Sequence, residues 1–585
     1  MPSPASDQRL LPETRGLNFY ALDPSLPQLL ALYLPADLYA HLQPHLHRLG
    51  ALASTRLDEL AHTADRHPPQ LHPRDRHGRE VPRIEKHPAY LELERYAFAE
   101  FGLAAMSHRG GVLGWPQPLP HVAKYAFFYL FAQAEFGLCC PVSMTDTLFR
   151  TLRKYGSAEQ VARYLPGLLA TDLDALVQGA MFMTEQAGGS DVGALETVAR
   201  QEGGQWRLYG EKWFCSNADA GLALVLARPE GAPPGLKGLA LFLLPRLLPD
   251  GRPNAYRIVR LKDKLGSRSM ATGEIRLEGA LAYPVGDLQR GFVQIAEMMN
   301  MSRLSNAVRA AGLMRRALHE ALCVARHRVA FGRPLLQLPL MQRQLLKLMV
   351  PMEQALSLVT FTAAMLEAMD GGDEQARRVV RLLTPLLKFR ACRDARKVTG
   401  DAMEVRGGCG YIEEWVEARL VRDAHLGSIW EGTSNIVALD VRRAVRKEGG
   451  HEALAAVLQE RLAAAESAPA WLRQEVSAML HRAVAAVQET AYDPQAERRV
   501  RQVASALYHA ASAALLLWEG AAAAARWGDA RRWLLAWLVL AHRLRPRDPL
   551  AAAEPVDEAA LAPLLLAEQP VPVETAAALL AVPAT

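Results

Sequence analysis

The chain has 585 residues, half of them hydrophobic, and a formal net charge of +5 at pH 7. This length predicts roughly three or four globular domains, and the hydrophobic content excludes a disordered protein. The small net charge does not by itself suggest nucleic-acid binding. The six cysteines form no C-x-x-C pair and no H-E-x-x-H motif is present, which predicts no metal site, no disulfide framework and a reducing, cytoplasmic setting.

The N-terminal third has the apolar spacing of helices and predicts a helical domain over residues 1–178. Residues 1–25 are polar and dotted with proline, without the apolar run of a signal peptide. Residues 67–83 are rich in turn residues and contain histidines without ligand spacing, so we interpret them as a solvated surface loop.

The pattern of apolar residues changes near residue 179, where apolar runs of four to six residues alternate with Gly and Pro turns. This pattern predicts a β domain over residues 179–286. Helical spacing returns for a domain over 287–445, and an alanine-rich additional helical domain is expected over 446–585. The fold class is α+β, mainly helical. The most membrane-like window, Ala506–Ala525, carries His509 and Glu519, which favours an interior helix and no membrane span.

Two stretches at the β domain carry residue types that suit a flat, phosphate-bearing cofactor. Met183–Asp191 (MTEQAGGSD) sets two glycines and a hydroxyl in a turn, where bare N–H groups can approach a pyrophosphate, although such turns are also ordinary. Lys212–Asn217 (KWFCSN) sets two aromatic rings beside a hydroxyl, which indicates either a ring against a cofactor or a plain strand end. Neither is a G-x-G-x-x-G or Walker motif, so no Rossmann domain is predicted.

Two further stretches follow in the helical part. Arg406–Tyr411 (RGGCGY) is a glycine turn that permits close backbone approach. Ser428–Ile436 (SIWEGTSNI) sets Glu431 between an aromatic residue and a glycine, just before a helix start with capping residue types. Taken alone, this stretch is more typical of a capped helix with a solvated glutamate.

In their order along the chain, MTEQAGGSD, KWFCSN, ARHRVAFGRP, MEVRGGCGYIEE and SIWEGTSNI resemble the acyl-CoA dehydrogenase family over most of the sequence. The resemblance implies an N-terminal helical domain, a central β domain and a C-terminal four-helix domain. It also implies FAD, held between the β domain and the C-terminal helices of neighbouring subunits, and a homotetramer. An electron-transferring flavoprotein is implied as a partner and an acyl-CoA-like small molecule as the substrate.

The resemblance also implies roles for single residues. Thr184 would hydrogen-bond the flavin and Ser190 its pyrophosphate, while Phe214 stands where many relatives have tryptophan against the ring. Ser216 takes the place of a threonine near flavin N5. The full set of implied cofactor-binding residues is Met183, Thr184, Gly189, Ser190, Phe214, Cys215, Ser216, Arg328, Phe331, Glu404, Gly408, Thr433 and Asn435.

Glu431 would be the catalytic base, removing the α-proton of an acyl-CoA thioester while a hydride leaves the β-carbon for flavin N5. Burial suits a carboxylate to this task because it raises the pKa. Some relatives keep the base on the long helix instead, but the matching position here is Ser302. Arg303 matches an arginine close to the acyl site, and a helix-surface charge is an equally good interpretation.

Further pieces, including Cys140–Thr145, Arg260–Ser269 and the chain beyond residue 446, resemble the AidB-like branch of the family. That branch is associated with the DNA alkylation response and has an extra helical domain implicated in double-stranded DNA binding. The resemblance implies an alternative function, a DNA-binding flavoprotein with little or no acyl-CoA turnover.

An arginine cluster bears on this alternative. Residues 498–547 contain nine arginines, opposed by Glu519 and Asp529. Such an excess of positive charge suits a surface that binds a phosphate backbone. Solvated helix faces and a GC-rich genome would produce the same composition. The acidic residues within 548–585 could also mask the patch. The candidate DNA contacts are Arg498, Arg499, Arg501, Arg526, Arg531 and Arg532.

Overall fold

The helical spacing of the sequence corresponds to helices over much of the described chain. The computed structural model describes residues 11–546, 548, 550 and 557–581. In chain order, the helices among these residues are α1 (Leu26–Tyr33), α2 (Ala36–Ala53), α3 (Arg56–Arg66), α4 (Pro88–Glu94), α5 (His121–Ala132), α6 (Cys139–Tyr155), α7 (Ala158–Leu168), α8 (Gly291–His327), α9 (Pro339–Asp370), α10 (Glu374–Arg406), α11 (Val416–Gly427), α12 (Ser434–Glu448), α13 (Gly450–Ala464), α14 (Ala470–Tyr492), α15 (Val500–Trp527), α16 (Arg531–Val539), α17 (Glu558–Leu566) and α18 (Val573–Leu579).

The strands lie before α4, between α7 and α8, and between α8 and α9. They are β1 (Gln70–Arg74), β2 (Glu80–Glu85), β3 (Gly179–Phe182), β4 (Val198–Glu202), β5 (Gln205–Ser216), β6 (Leu222–Pro229), β7 (Ala240–Pro245), β8 (Tyr256–Leu261), β9 (Thr272–Pro284), β10 (Val329–Ala330) and β11 (Arg333–Pro334).

The chain divides into two compact units, each assembled from separate stretches of sequence. One unit comprises residues 56–120 and 134–305, and the other comprises the rest of the described chain. The four domain boundaries expected from the sequence stay a prediction.

Seven strands of the first unit form one sheet that closes on itself. β6, β4, β5, β9 and β7 pair in that order, and β7 pairs back with β6, while β3 and β8 are added on β6 and β9. β6 and β7 are apolar on both faces and lie in the interior, as expected for the continuous runs LALVLA and ALFLL. The sheet therefore carries its own core, and helix α6 packs against β3 at one edge.

The contact between α6 and β3 requires a glycine. A Cβ on Gly179 would lie 3.0 Å from both the Met144 carbonyl oxygen and the Thr145 Cα. The Gly179 N–H donates to the Thr145 hydroxyl at 2.9 Å, so the strand and helix backbones meet directly. This contact fixes the strand that ends beside Met183 and Thr184.

Residues 67–83, expected as a solvated surface loop, are largely exposed, but they include two strands, so the loop part of the prediction is wrong. β1 and β2 pair as an antiparallel hairpin, with Leu71 opposite Ile84. Both side chains are partly buried and pack against the core of the large sheet. These two apolar contacts stabilise a hairpin that prolines and histidines obscure in the sequence.

The second unit is built on the long helices α9 and α10, which are separated by residues 371–373. Among the described residues, α9 is the one helix long and apolar enough to cross a membrane, and 89% of its most apolar window is buried inside the protein. Such burial is typical of a core helix. The window predicted to be interior, Ala506–Ala525, lies in α15, most of which is buried.

A buried ionic cluster joins the added C-terminal helices to α9. The Glu353 carboxylate accepts from both Arg531 and Arg532, and Arg532 also donates to Glu519 at 2.7 Å. Ser357 donates to Glu519 at 2.8 Å. Burial alone would raise the pKa of Glu353, but the neighbouring arginines outweigh it and hold that pKa below its usual value.

This cluster overturns part of the DNA-contact prediction. Arg531 and Arg532 each expose only 2% of their surface and are occupied by carboxylates. A guanidinium in that position cannot contact a phosphate backbone, so these two residues were wrongly assigned. Removing either one would leave two buried carboxylates, Glu353 and Glu519, with one of these arginines between them, which is strongly destabilising.

Two carboxylates of the acidic C-terminal segment are paired with arginines of α8 and α9. Glu568 pairs with Arg315 at 2.7 Å and with Arg326 at 3.4 Å, and Glu558 pairs with Arg343 at 3.4 Å. These carboxylates are therefore engaged on α8 and α9. Arg547 and residues 551–556 lie outside the described residues.

Candidate functional site

The motif Met183–Asp191 is held in place by the motif Lys212–Asn217. Met183 and Thr184 follow strand β3, and the Trp213 N–H donates to the Thr184 carbonyl at 2.8 Å. The sheet therefore brings MTEQAGGSD and KWFCSN together, as the cofactor interpretation requires. Gly189 and Ser190 are exposed in the turn that follows.

A buried ion pair fixes this turn. The Lys212 ammonium, with no exposed surface, donates to Glu185 at 2.6 Å and to the Leu226 carbonyl at 2.8 Å. Burial lowers the pKa of Lys212, and Glu185 opposes that shift. The Glu185 carboxylate also accepts from the Glu196 N–H at 2.6 Å and from the Thr197 hydroxyl. Neither residue was given a role from the sequence, although both lie inside the quoted motifs.

The end of β5 presents one aromatic ring to the outside. Phe214 is 55% exposed, which is unusual for a phenylalanine at the end of a buried sheet. Ser216 is half-buried, whereas Cys215 is fully buried in the core of the sheet. The Cys215 side chain therefore does not reach a ligand, and only its backbone could.

The structure excludes one of the two interpretations of Arg303. This residue is only 5% exposed, so a helix-surface charge is the wrong interpretation. Its guanidinium donates to the Asn300 side chain at 3.3 Å within α8. Ser302 is fully buried beside it, which keeps a hydroxyl at the position where some relatives have a carboxylate.

In the second unit, four of the predicted cofactor residues lie around the turn that ends α10. Arg328 donates to the Arg406 carbonyl at 3.1 Å, which holds the β10–β11 hairpin against this turn. Phe331 sits on that hairpin with 91% of its surface exposed. Glu404 accepts from Gln344 at 3.1 Å, and a Cβ on Gly408 would meet no atom within 4 Å.

Glu431 occupies a strained backbone position. Its φ is +55°, in the left-handed region that non-glycine residues rarely adopt. The side chain is half-buried, between the end of α11 and the start of α12. Strain of this kind persists only where the surrounding structure enforces it, and it concentrates at functional sites.

Three anchors enforce the Glu431 conformation. The fully buried Lys388 of α10 donates to the Gly432 carbonyl, directly after Glu431. On the other side, the Trp430 indole N–H donates to Asn306 of α8 at 2.6 Å, and the Arg309 guanidinium lies 4.6 Å from the Trp430 ring. No motif in the sequence pointed to Lys388, because it lies 44 residues before the glycine that it contacts.

Past the glutamate, Thr433 is the N-cap of α12 without a side-chain cap bond, and Asn435 is exposed. Asn435 accepts from Arg501 of α15 at 3.3 Å.

Of the arginines predicted to contact DNA, Arg498, Arg499, Arg501 and Arg526 are exposed. Among the described residues, no group of three or more His, Cys, Asp or Glu side chains is arranged to hold a metal.

In each unit, taken by itself, the predicted residues suit contacts to a flat, phosphate-bearing cofactor. Phe214 of the first unit and Phe331 of the second are exposed aromatic rings, on which a flat ligand can stack. The open glycine at position 408 leaves room for close backbone approach, and the α12 start at Thr433 offers uncapped N–H groups.

Three family models match the chain. "Adaptive response protein AidB N-terminal domain" matches residues 10–175, "Acyl-CoA dehydrogenase, middle domain" matches 180–280, and "Acyl-CoA dehydrogenase, C-terminal domain" matches 289–446. The matched ranges together cover most of the sequence and follow its order.

Individual proteins similar to this chain also carry acyl-CoA dehydrogenase names. Acyl-CoA dehydrogenase family member 11 of Caenorhabditis elegans is 34% identical over 438 residues, 73% of this chain and 70% of that protein. The putative acyl-CoA dehydrogenase AidB of Escherichia coli is 36% identical over 69% of this chain and 73% of that protein. The crystal structure of Caenorhabditis elegans ACDH-11 in complex with C11-CoA has a TM-score of 0.85 at 28% identity, covering 93% of this chain and 95% of that chain.

The strain at position 431 predicts an unusual order of stability. Glu431→Gly should be more stable than Glu431→Ala by about 1 kcal/mol, because glycine adopts a left-handed conformation without steric cost. Urea denaturation of the two variants measures the difference. At the exposed Glu414, whose φ is not positive, glycine should be no more stable than alanine. An alanine variant at 431 as stable as the glycine variant would contradict the strain.

Proposed function

This chain belongs to the acyl-CoA dehydrogenase family, and from that premise we propose that it dehydrogenates an acyl-CoA thioester with Glu431 as the base. Membership makes the chain a flavin-dependent oxidoreductase with FAD as its cofactor, and it confirms the fold class expected from the sequence. The AidB-like resemblance is confirmed as well.

The observation that carries the proposal is the conformation of Glu431. A glutamate is strained in the left-handed backbone conformation, whereas a glycine would adopt it without strain. Lys388 and Trp430 nevertheless hold the turn in that conformation from both sides. A side chain presented at such a cost is expected to have a chemical role.

Glu431 would act by taking the α-proton of the thioester onto a carboxylate oxygen. The bound flavin supplies the acceptor for the hydride that leaves the β-carbon. Trp430, held by Asn306 and covered by Arg309, removes water from one side of the carboxylate and so favours its action as a base. Lys388 positions the backbone after the base and does not itself react. Arg303 is a candidate to stabilise charge near the acyl group because it is buried.

An acyl-CoA substrate is supported by the relatives. The Caenorhabditis elegans protein was crystallised with C11-CoA, and the chain covers 95% of that structure. The implied cofactor residues are assigned by position: Thr184, Ser190, Phe214 and Ser216 in one unit, and Arg328, Phe331, Glu404, Gly408, Thr433 and Asn435 in the other.

Three further expectations belong to the same proposal. We propose a homo-oligomer, the tetramer of the family, supported by large apolar side chains on and near the β10–β11 hairpin, where Phe331 is 91%, Leu340 84% and Tyr411 80% exposed. An electron-transferring flavoprotein is the proposed electron acceptor. A cytoplasmic location is proposed from the cysteines, all six of which are free.

The proposal predicts a spectroscopic result. Anaerobic addition of saturated acyl-CoA thioesters, with C11-CoA among them, should bleach the flavin absorbance band of the holoprotein. Glu431→Gln should abolish the bleaching while FAD stays bound, because the amide cannot accept the α-proton. Glu414→Gln, which removes an exposed carboxylate of the same region, is the matched control and should bleach normally. If no thioester bleaches the wild-type flavin, the substrate class is wrong.

A second candidate function is binding of double-stranded DNA with little acyl-CoA turnover. It is favoured by Arg498, Arg499 and Arg501, which are exposed together where α15 begins. The Escherichia coli relative carries the AidB name, and the family model that matches residues 10–175 is that of the adaptive response protein AidB. The phosphate-contacting set is reduced to four arginines, since Arg531 and Arg532 are buried.

DNA binding predicts a salt-dependent affinity. The dissociation constant for a duplex should rise steeply with salt, and replacing Arg498, Arg499 and Arg501 together by alanine should weaken binding and lower the salt slope by about one per lost phosphate contact. Fluorescence anisotropy of a labelled duplex measures both quantities. Arg482→Ala, an exposed arginine of α14, is the control. Binding that ignores salt, or that the triple variant retains in full, would count against this function.

A further inference from the structure

Three arginines from two helices converge on the segment that carries Glu431. Arg393 of α10 donates to the Ser434 hydroxyl at 3.3 Å, and Arg396 of α10 donates to the Ser428 hydroxyl at 3.3 Å. Arg501 of α15 donates to the Asn435 side-chain oxygen at 3.3 Å. The family match ends at residue 446, so α15 lies in the added helical region.

The acceptors in this cluster are all uncharged. Within the part of the chain that the structure describes, none of the three arginines forms an ion pair. Asp394, which follows Arg393 in the chain, is buried and is paired with Arg390. Three positive charges are therefore gathered around two hydroxyls and an amide, none of which can neutralise them.

The mutual repulsion is visible at Arg393. Burial, followed by the charges of Arg501, Arg390 and Arg396, lowers the pKa of the Arg393 guanidinium, and Asp394 opposes this shift only weakly. Arginines with a carboxylate partner show the opposite shift, as at Arg377. Crowding of like charges costs free energy unless an anion joins the cluster.

The donor geometry suits a phosphate group. Each guanidinium carries five N–H donors in a planar fork, and the bond to the 428–435 segment uses one nitrogen. Arg396 and Arg501 are exposed, so an anion can reach them from solvent. The remaining donors match the several oxygens of a phosphate better than the single oxygen of a hydroxyl.

We propose that Arg393, Arg396 and Arg501 form a binding site for a phosphate or diphosphate group. Because each arginine now holds a residue of the 428–435 segment, an anion in the site would draw these donors towards itself. Binding would thereby be coupled to the turn that carries Glu431. The site stands on these contacts alone and does not require that the chain turn over an acyl-CoA.

The phosphate could be supplied by FAD itself, by the nucleotide of coenzyme A, or by free phosphate. The shared chemistry is a multiply charged oxyanion, so inorganic pyrophosphate is the probe. It is titrated calorimetrically into the FAD-loaded holoprotein at constant ionic strength. Coenzyme A without an acyl chain is then added as a competitor, and the FAD-to-protein ratio of each variant is measured by absorbance.

We expect saturable binding of one pyrophosphate per chain. Arg501→Gln and Arg396→Gln should each weaken it about tenfold or more, as expected for the loss of a hydrogen bond to a charged group. Arg482→Gln removes an exposed charge of α14 without touching the 428–435 segment, and it should bind as the wild type does. Arg396 is exposed, so its variant is expected to fold normally.

The outcomes distinguish the sources. Displacement of pyrophosphate by coenzyme A assigns the site to that nucleotide, and binding without displacement assigns it to another phosphate. If the holoprotein binds no pyrophosphate but Arg393→Gln and Arg501→Gln lose FAD while Arg482→Gln retains it, the site holds the diphosphate of FAD. The proposal is overturned if every variant binds pyrophosphate equally, or if no binding occurs and every variant retains FAD.

Discussion

The Glu353 carboxylate is fully buried, and it can remain charged there only because Arg531 and Arg532 face it. The same two arginines come from α16, in the helical region beyond the family match, while Glu353 lies in the core of α9. The interaction therefore holds the added helices on the long-helix core. Glu519 of α15 completes the cluster. Burial raises the pKa of Glu519, and the charge of Arg532 opposes that shift. Such a cluster specifies one arrangement of helices, because any other leaves buried charges unpaired.

The position of α15 has consequences for the candidate site. Since α15 packs on α9 and α16, its first turn lies where Arg501 can donate to Asn435. The added helices thus do more than extend the protein, because one of their arginines contacts the segment just after Glu431. On the other side of that segment, Lys388 and Asn306 hold Gly432 and Trp430. A strained glutamate is kept in place by core helices and by the added helices together.

Much of this could be predicted from the sequence. Five motifs in a fixed order identified the family and directed attention to Glu431, and apolar runs such as LALVLA identified buried strands. The hairpin of β1 and β2 was missed because its apolar pair, Leu71 and Ile84, is dispersed among prolines and histidines. The burial of Arg531 and Arg532 was missed because their partner Glu353 lies 178 residues away from the first of them. Lys388 was missed for the same reason, since contacts across such separations depend on the packing of helices and leave no local pattern.

Removal of the α-proton by Glu431 can be measured by isotope exchange at the α-carbon. A saturated acyl-CoA carrying two deuterium atoms on the α-carbon is incubated anaerobically with the holoprotein in ordinary water. The unconsumed substrate is then examined by mass spectrometry. We expect the wild-type protein to replace the deuterium with hydrogen, and Glu431→Gln, with FAD still bound, to leave the deuterium in place. Exchange by Glu431→Gln at the wild-type rate would contradict the role of Glu431 as the base.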